Sequence, residues 1–123
     1  MNAYAMAQRA YAPTGAPTRS ERSIEYDVIA RVTSRLKKAV VEKNYPNMME
    51  ALHENARLWR TLAIDVADAG NGLPKDLRAR VFYLAEFTDH HTKRVIRENI
   101  SAKPLLEINM AILRGLKHAG SSS

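Results

Sequence analysis

The chain contains no cysteine. That excludes disulfides and thiolate metal sites, and it suits a reducing compartment. Aromatic residues are scarce, one Trp, five Tyr and two Phe, which leaves few rings on which nucleic-acid bases can stack. No run approaches the ~20 apolar residues that a membrane-spanning helix needs. Arg9 is not followed by an apolar stretch, so the start does not read as a secretory leader. The expectation is a soluble, cytoplasmic protein without membrane insertion. Proline and glycine number five each. They sit between long periodic segments and act as punctuation.

With 123 residues, one domain with a core of its own is expected. The charge is +6 and the isoelectric point about 9.8. Such a balance favours RNA, membrane surfaces or acidic proteins as partners. Acids are interleaved with the cations and no block of five like charges occurs, so a solvated surface is the plainer reading.

Residues 1–17 are Ala-rich and end in Pro13, Gly15 and Pro17. They read as a flexible or short-helical segment with Tyr4 and Tyr11 on one side, followed by a hinge. Thr18-Arg19-Ser20-Glu21 is a capping-box pattern that starts a first helix, expected to end near Lys43. Its apolar stripe is Ile24, Val28, Val32, Leu36, Ala39 and Val40, with Ile29 and Val41 beside it. The proline in Tyr45-Pro46 pushes Tyr45 out of the α region, so a second helix is expected to start at Pro46. Met49, Leu52, Ala56, Trp59, Ala63 and Val66 form its seam, and Gly70-Asn71-Gly72 stops it through positive φ. A third helix begins at Pro74, with Leu77, Val81, Leu84, Thr88, His91 and Val95 in a seven-residue rhythm. Ser101 caps a fourth helix that has Pro104 just inside and runs to about His118. Residues 119–123 are expected to be disordered. No segment alternates as a strand does. The pattern predicts an all-α protein, an antiparallel four-helix bundle over residues 18–118.

Chemistry-bearing clusters are thin. Glu86 and His90 share a helix face, but His90 and His91 point ~100° apart, so at most two metal ligands converge where three or four are needed. Asp65 and Asp68 sit at a helix C-terminus, where the macrodipole disfavours acids, and Arg78 is the candidate cation. No Ser-His-Asp set, phosphate loop or dinucleotide fingerprint is present. The expectation is no enzyme, no cofactor, no metal and no small-molecule substrate. For RNA, the first helix offers Arg31, Arg35, Lys37 and Lys38. The close aromatic–basic pairs are Tyr26 with Arg22 and Tyr83 with Arg80.

Leu58-Trp59, Leu62 and Asp65, then Asn71-Gly72-Leu73-Pro74 with Leu77-Arg78, resemble the central signature of FlaF proteins. Leu105-Leu106-Glu107-Ile108-Asn109, then Ile112 and Gly115-Leu116, resemble their C-terminal signature. The resemblance covers roughly residues 19–118, with the two blocks in the family's order and spacing. It implies a role in flagellum assembly in alphaproteobacteria, binding flagellin and linking its synthesis to its export alongside the translational regulator FlbT. Trp59, Asp65, Asn71, Pro74, Arg78, Asn109, Gly115 and Leu116 belong to those signatures. Most read as scaffold, whereas Arg78 and Asn109 are either buried struts or partner contacts.

Under that resemblance flagellin's apolar terminal helices are the expected cargo, laid into a groove of the bundle. The candidate contacts are Tyr4, Tyr11, Tyr26, Ile29, Leu106 and Leu113, with Met48 and Tyr83 also off the main seams. The segment before the Pro13–Pro17 hinge is a candidate occupant of the groove when flagellin is absent. The alternatives are an RNA-binding regulator of flagellin message, and a self-associating bundle.

Overall fold

The computed structural model describes residues 19–121, with side chains for residues 26–117. The expected 1–17 segment, Tyr4, Tyr11 and the Thr18 cap therefore lie outside the described residues. Four helices follow one another: α1 Arg19–Glu42, α2 Tyr45–Ala67, α3 Lys75–Glu98 and α4 Lys103–Ser121. Among the described residues there is no strand. A 24-residue helix such as α1 or α3 spans about 36 Å.

The ends show how the chain enforces these boundaries. Lys43 adopts a left-handed φ of 55° and closes α1. Asn44 then caps α2, its Oδ1 accepting from the Asn47 N–H at 3.1 Å. Tyr45 is thus the first helical residue, not excluded from the helix as expected. Pro46 falls in the first turn, where its missing N–H costs nothing, and the Asn44 cap holds Tyr45 in the helix. The stop after α2 also differs from expectation. Asp68 is extended at φ −70°, and neither Gly70 nor Asn71 takes a left-handed φ. Side chains close this turn, as described below. Asn99, at φ 56°, ends α3 in the left-handed region. Ser101 Oγ accepts from the Lys103 N–H at 3.1 Å, which is the expected cap. Helix α4 continues to Ser121, past the expected end at His118.

The helices pack as a ring. Helix α2 lies most extensively on α3, α1 lies against both α2 and α4, and of the neighbouring pairs α3 and α4 pack least. With short connections this is the expected antiparallel bundle. Its apolar interior falls into two clusters. Ile29, Val32, Leu58, Trp59, Leu62, Val66, Val81 and Ala85 fill one half, and Leu36, Ala39, Ala51, Leu52, Val95, Ala102 and Leu105 the other. Buried polar side chains interrupt this interior: Thr33, Asn55 and Asn109 form one hydrogen-bonded layer, and α3 adds Thr88, His91 and Thr92.

Asn109 organises that layer. The Trp59 indole N–H donates to Asn109 Oδ1 at 2.8 Å. Asn109 Nδ2 donates to Thr33 Oγ1 at 3.0 Å and to Asn55 Oδ1 at 2.7 Å. An indole nitrogen can only donate, so the amide orientation of Asn109 is fixed by its partner. The Thr33 hydroxyl passes its own proton to the Ile29 carbonyl at 2.7 Å. One side chain of α4 is therefore tied to α1 and twice to α2. A lone polar residue inside an apolar seam sets register, since any slip strands it without partners.

Candidate functional site

The signature residues resolve into scaffold. Asn71 Nδ2 donates to the Asp65 carbonyl at 3.1 Å and to its carboxylate Oδ2 at 3.2 Å. Asn71 Oδ1 accepts from the Leu73 N–H at 2.9 Å. This amide ties the end of α2 to the approach to α3 and closes the turn. Arg78 reaches back from α3 and donates to the Val66 and Asp68 carbonyls at 2.8 and 2.9 Å. It is the candidate cation for this end of α2, and the last carbonyls of a helix, which lack intrahelical partners and carry the negative end of the dipole, draw its guanidinium. Pro74 precedes α3, its carbonyl accepting from the Arg78 N–H at 2.9 Å. Leu116 packs half-buried against the first core cluster. Arg78→Ala is expected to lower unfolding free energy by about 1–2 kcal/mol, read by urea denaturation.

Gly115 behaves differently. It is exposed in the body of α4, and a Cβ added there meets nothing within 4 Å. Nothing within the described fold requires a glycine at this point. Gly115→Ala is expected to raise stability by ~0.5–1 kcal/mol, seen as a higher melting temperature.

The candidate contacts divide. Ile29 is 1% exposed, and it corrects the expected stripe. The α1 core runs through Ile29, Val32, Leu36 and Ala39, while Val28 and Val40 are only partly covered. A residue at the centre of the core touches no partner. Tyr26, Leu106 and Leu113 are half-buried and gather on one seam. The Thr33–Asn109 bond fixes the facing edges of α1 and α4. Along those edges each step of four residues drifts ~40° outward. Lys37 and Val41 follow Thr33 in this way, and Leu113 follows Asn109. Leu106 packs partly buried against the second core cluster. Val41 is 70% and Met110 47% exposed at the rim.

A second surface lies where α3 and α4 diverge. His91 Nε2 donates to the Ser101 carbonyl at 2.9 Å, and Phe87 stacks on the His91 ring with centroids 5.5 Å apart. These contacts identify the edge of α3 that faces α4. Tyr83 continues it one turn earlier. Tyr83 is 67% and Phe87 36% exposed. Leu77, Leu84, Ile108 and Ile112 lie partly buried behind them. The result is an apolar face with two aromatic rings at its edge and no helix of the described chain across it.

A further concavity is of mixed character. A cleft of about 310 Å³ between α1 and α2 is lined by Arg35, Lys38, Glu42, Asn47, Glu50 and Glu54. The Arg35–Glu54 ion pair spans the two helices, and Lys38 lies 3.9 Å from Glu42. Arg35 and Lys38 of the expected basic face are thus engaged. Among the described residues, no three His, Asp or Glu side chains converge on a possible metal position. No described helix is long and apolar enough to cross a membrane. His90 and His53 are exposed, and His91 is buried at the seam edge.

Asn55 and Thr33 escaped the sequence reading, whereas Thr88 falls on the seam read for α3 and is buried there. The available signal was a polar residue inside an apolar stripe: Asn55 lies between Leu52 and Trp59 on the buried face of α2.

Fold and surface together define a small all-α bundle, pinned by a buried polar layer and carrying uncovered apolar faces. The chain belongs to the FlaF family of flagellar proteins, whose family model matches residues 7–116. Comparison with curated proteins and with solved structures finds no match.

Proposed function

We propose that this flagellar protein is a non-catalytic, flagellin-binding regulator and secretion chaperone of the cytoplasm, coupling flagellin synthesis to export. The observation that carries the reading is the open α3–α4 face, where Tyr83 and Phe87 stand exposed over partly buried leucines and isoleucines. An amphipathic helix laid there covers apolar surface that no described element covers. Large aromatic residues at a groove edge are the side chains that most often dominate such interfaces. A guest helix of ~18 residues is ~27 Å long, within the span of α3. Flagellin's unassembled terminal helices have the apolar character this face complements, and a FlbT-type regulator is the partner through which occupancy would reach synthesis.

The RNA reading draws less support. Arg35 and Lys38 lie against glutamates, and three of the four exposed Phe and Tyr residues among those described, Phe82, Tyr83 and Phe87, sit on α3, with Tyr45 at the start of α2. Fluorescence anisotropy with labelled peptides of the two flagellin termini tests the proposal. Saturable binding of at least one terminus at about micromolar affinity, unchanged by moderate salt, is expected. Absence of binding to both termini and to intact monomeric flagellin would remove the reading.

A further inference from the structure

The side of α4 turned away from α1 has a shape of its own. Leu106 and Leu113 lie on the α1 seam. Ile108 and Gly115 each follow two residues later, about 200° around the helix, and so face the side on which α3 diverges. Ile108, Ala111, Ile112 and Gly115 hold the i, i+3, i+4 and i+7 positions, the four corners of a hole on a helix surface. Ile108 and Ile112 are partly buried and form its apolar floor, whereas Ala111 and Gly115 are exposed. A Cβ added at Gly115 meets nothing within 4 Å, so the α4 backbone is bare at that corner. Glycine in the body of a helix is destabilising relative to alanine, and no contact among the described residues offsets that cost. Counted from the His91–Ser101 bond, Tyr83 lies about 12 Å along α3 and the hole between about 10 and 21 Å along α4. The exposed Tyr83 ring therefore flanks the hole from the α3 side.

We infer that this hole seats one large apolar side chain of the flagellin helix that docks on the α3–α4 face, and that Gly115 sets how closely that helix approaches α4. The inference rests on the flagellin-binding reading of the face and adds the point of engagement. A knob from one helix enters a hole formed by four residues of its neighbour. Where a corner of the hole lacks a side chain, the neighbouring backbone comes nearer and the knob sinks deeper. Buried knobs in well-packed pockets are the contacts that dominate helix recognition. The glycine is thus a specificity-determining residue of the docking face, retained at a cost in stability for the approach of a partner.

The test titrates the full chain and its variants with monomeric flagellin by calorimetry, with a thermal melt of each variant. Gly115→Leu and Ala111→Leu each fill the hole, and each is expected to weaken binding by ~10-fold or more. Arg114→Leu adds the same side chain one residue away, on the outer side of α4 where Arg114 is exposed, and is expected to leave the affinity unchanged. Gly115→Leu is expected to melt at or above the parent temperature, because leucine is the better helix former and the space beside Gly115 is empty within the described fold. A lowered melting temperature for Gly115→Leu would show that the chain's own residues fill the hole, and would overturn the inference. Equal or tighter flagellin binding by Gly115→Leu and Ala111→Leu would show a flat apolar patch and overturn the inference alone. Absence of binding by the parent chain would remove the flagellin reading itself, and this inference with it.

Discussion

Asn109→Ala is expected to lower the free energy of unfolding by about 3–5 kcal/mol, since buried partners left unsatisfied cost ~1–3 kcal/mol each. Three partners lose their bond at once: the Trp59 indole, the Thr33 hydroxyl and the Asn55 carboxamide oxygen. Trp59, Asn55 and Asn109 are at most 1% exposed, so water does not replace the lost bonds without opening the bundle. A typical domain has ~5–15 kcal/mol in hand, so the variant is expected to sit near the edge of stability. Urea unfolding followed by far-ultraviolet circular dichroism and by Trp59 fluorescence reads the change. Asn109→Leu restores side-chain volume without restoring the bonds and is expected to recover only part of the loss. Near-complete recovery would show that packing, rather than the polar layer, holds α4 in place.

The second large effect falls on binding. Tyr83→Glu combined with Phe87→Glu is expected to reduce affinity for flagellin by ~100-fold, near 3 kcal/mol, the scale of losing aromatic anchors from an interface. Both side chains are exposed at the edge of α3. The fold is therefore expected to survive, with the melting temperature within a few degrees of the parent because surface substitutions seldom exceed ~0.5 kcal/mol. Phe87 also stacks on His91, so Tyr83→Glu alone serves as the variant that leaves the described core untouched. Calorimetric titration against monomeric flagellin, paired with a thermal melt, separates lost binding from lost folding.

Much of the fold was legible from periodicity. The apolar spacing of α2, from Leu52 through Trp59 to Val66, survives in the structure as buried positions, because burial of one face is what selects a helix of that pattern. Helix breaks were legible from proline and serine at Pro74, Ser101 and Pro104. Other features depend on tertiary placement that no local pattern carries. Ile29 falls beside the stripe read for α1, yet lies at its centre, since flanking helices on both sides widen the buried arc. The Asn44 cap, only three residues before Asn47, is local and readable, and it overrides the restriction that Pro46 places on Tyr45. Arg78 was legible as the cation for the end of α2, but its acceptors were not: the guanidinium donates to the Val66 and Asp68 carbonyls, an arrangement set by where the chain turns. The signature residues Trp59 and Asn109, fifty positions apart, meet only because α2 and α4 face each other across the core.

The surfaces were less legible than the core. Tyr26, Leu106 and Leu113 stood out as surplus apolar residues, and the structure gathers them on one seam. Tyr83 belongs to another face. Spacing identifies residues that leave the main stripe, but the side on which they emerge depends on which helices are neighbours. The weak approach of α3 to α4 is a property of packing that spacing alone does not reveal.

The central claim is that the bundle receives an apolar helix of flagellin, and isothermal titration of the intact chain with monomeric flagellin at low and high salt tests it most directly. A saturable complex of about micromolar affinity or tighter, retained at high salt because apolar burial is not screened as surface charges are, is the result the account predicts. No heat and no complex at either salt, or a complex that vanishes as salt rises, would contradict it.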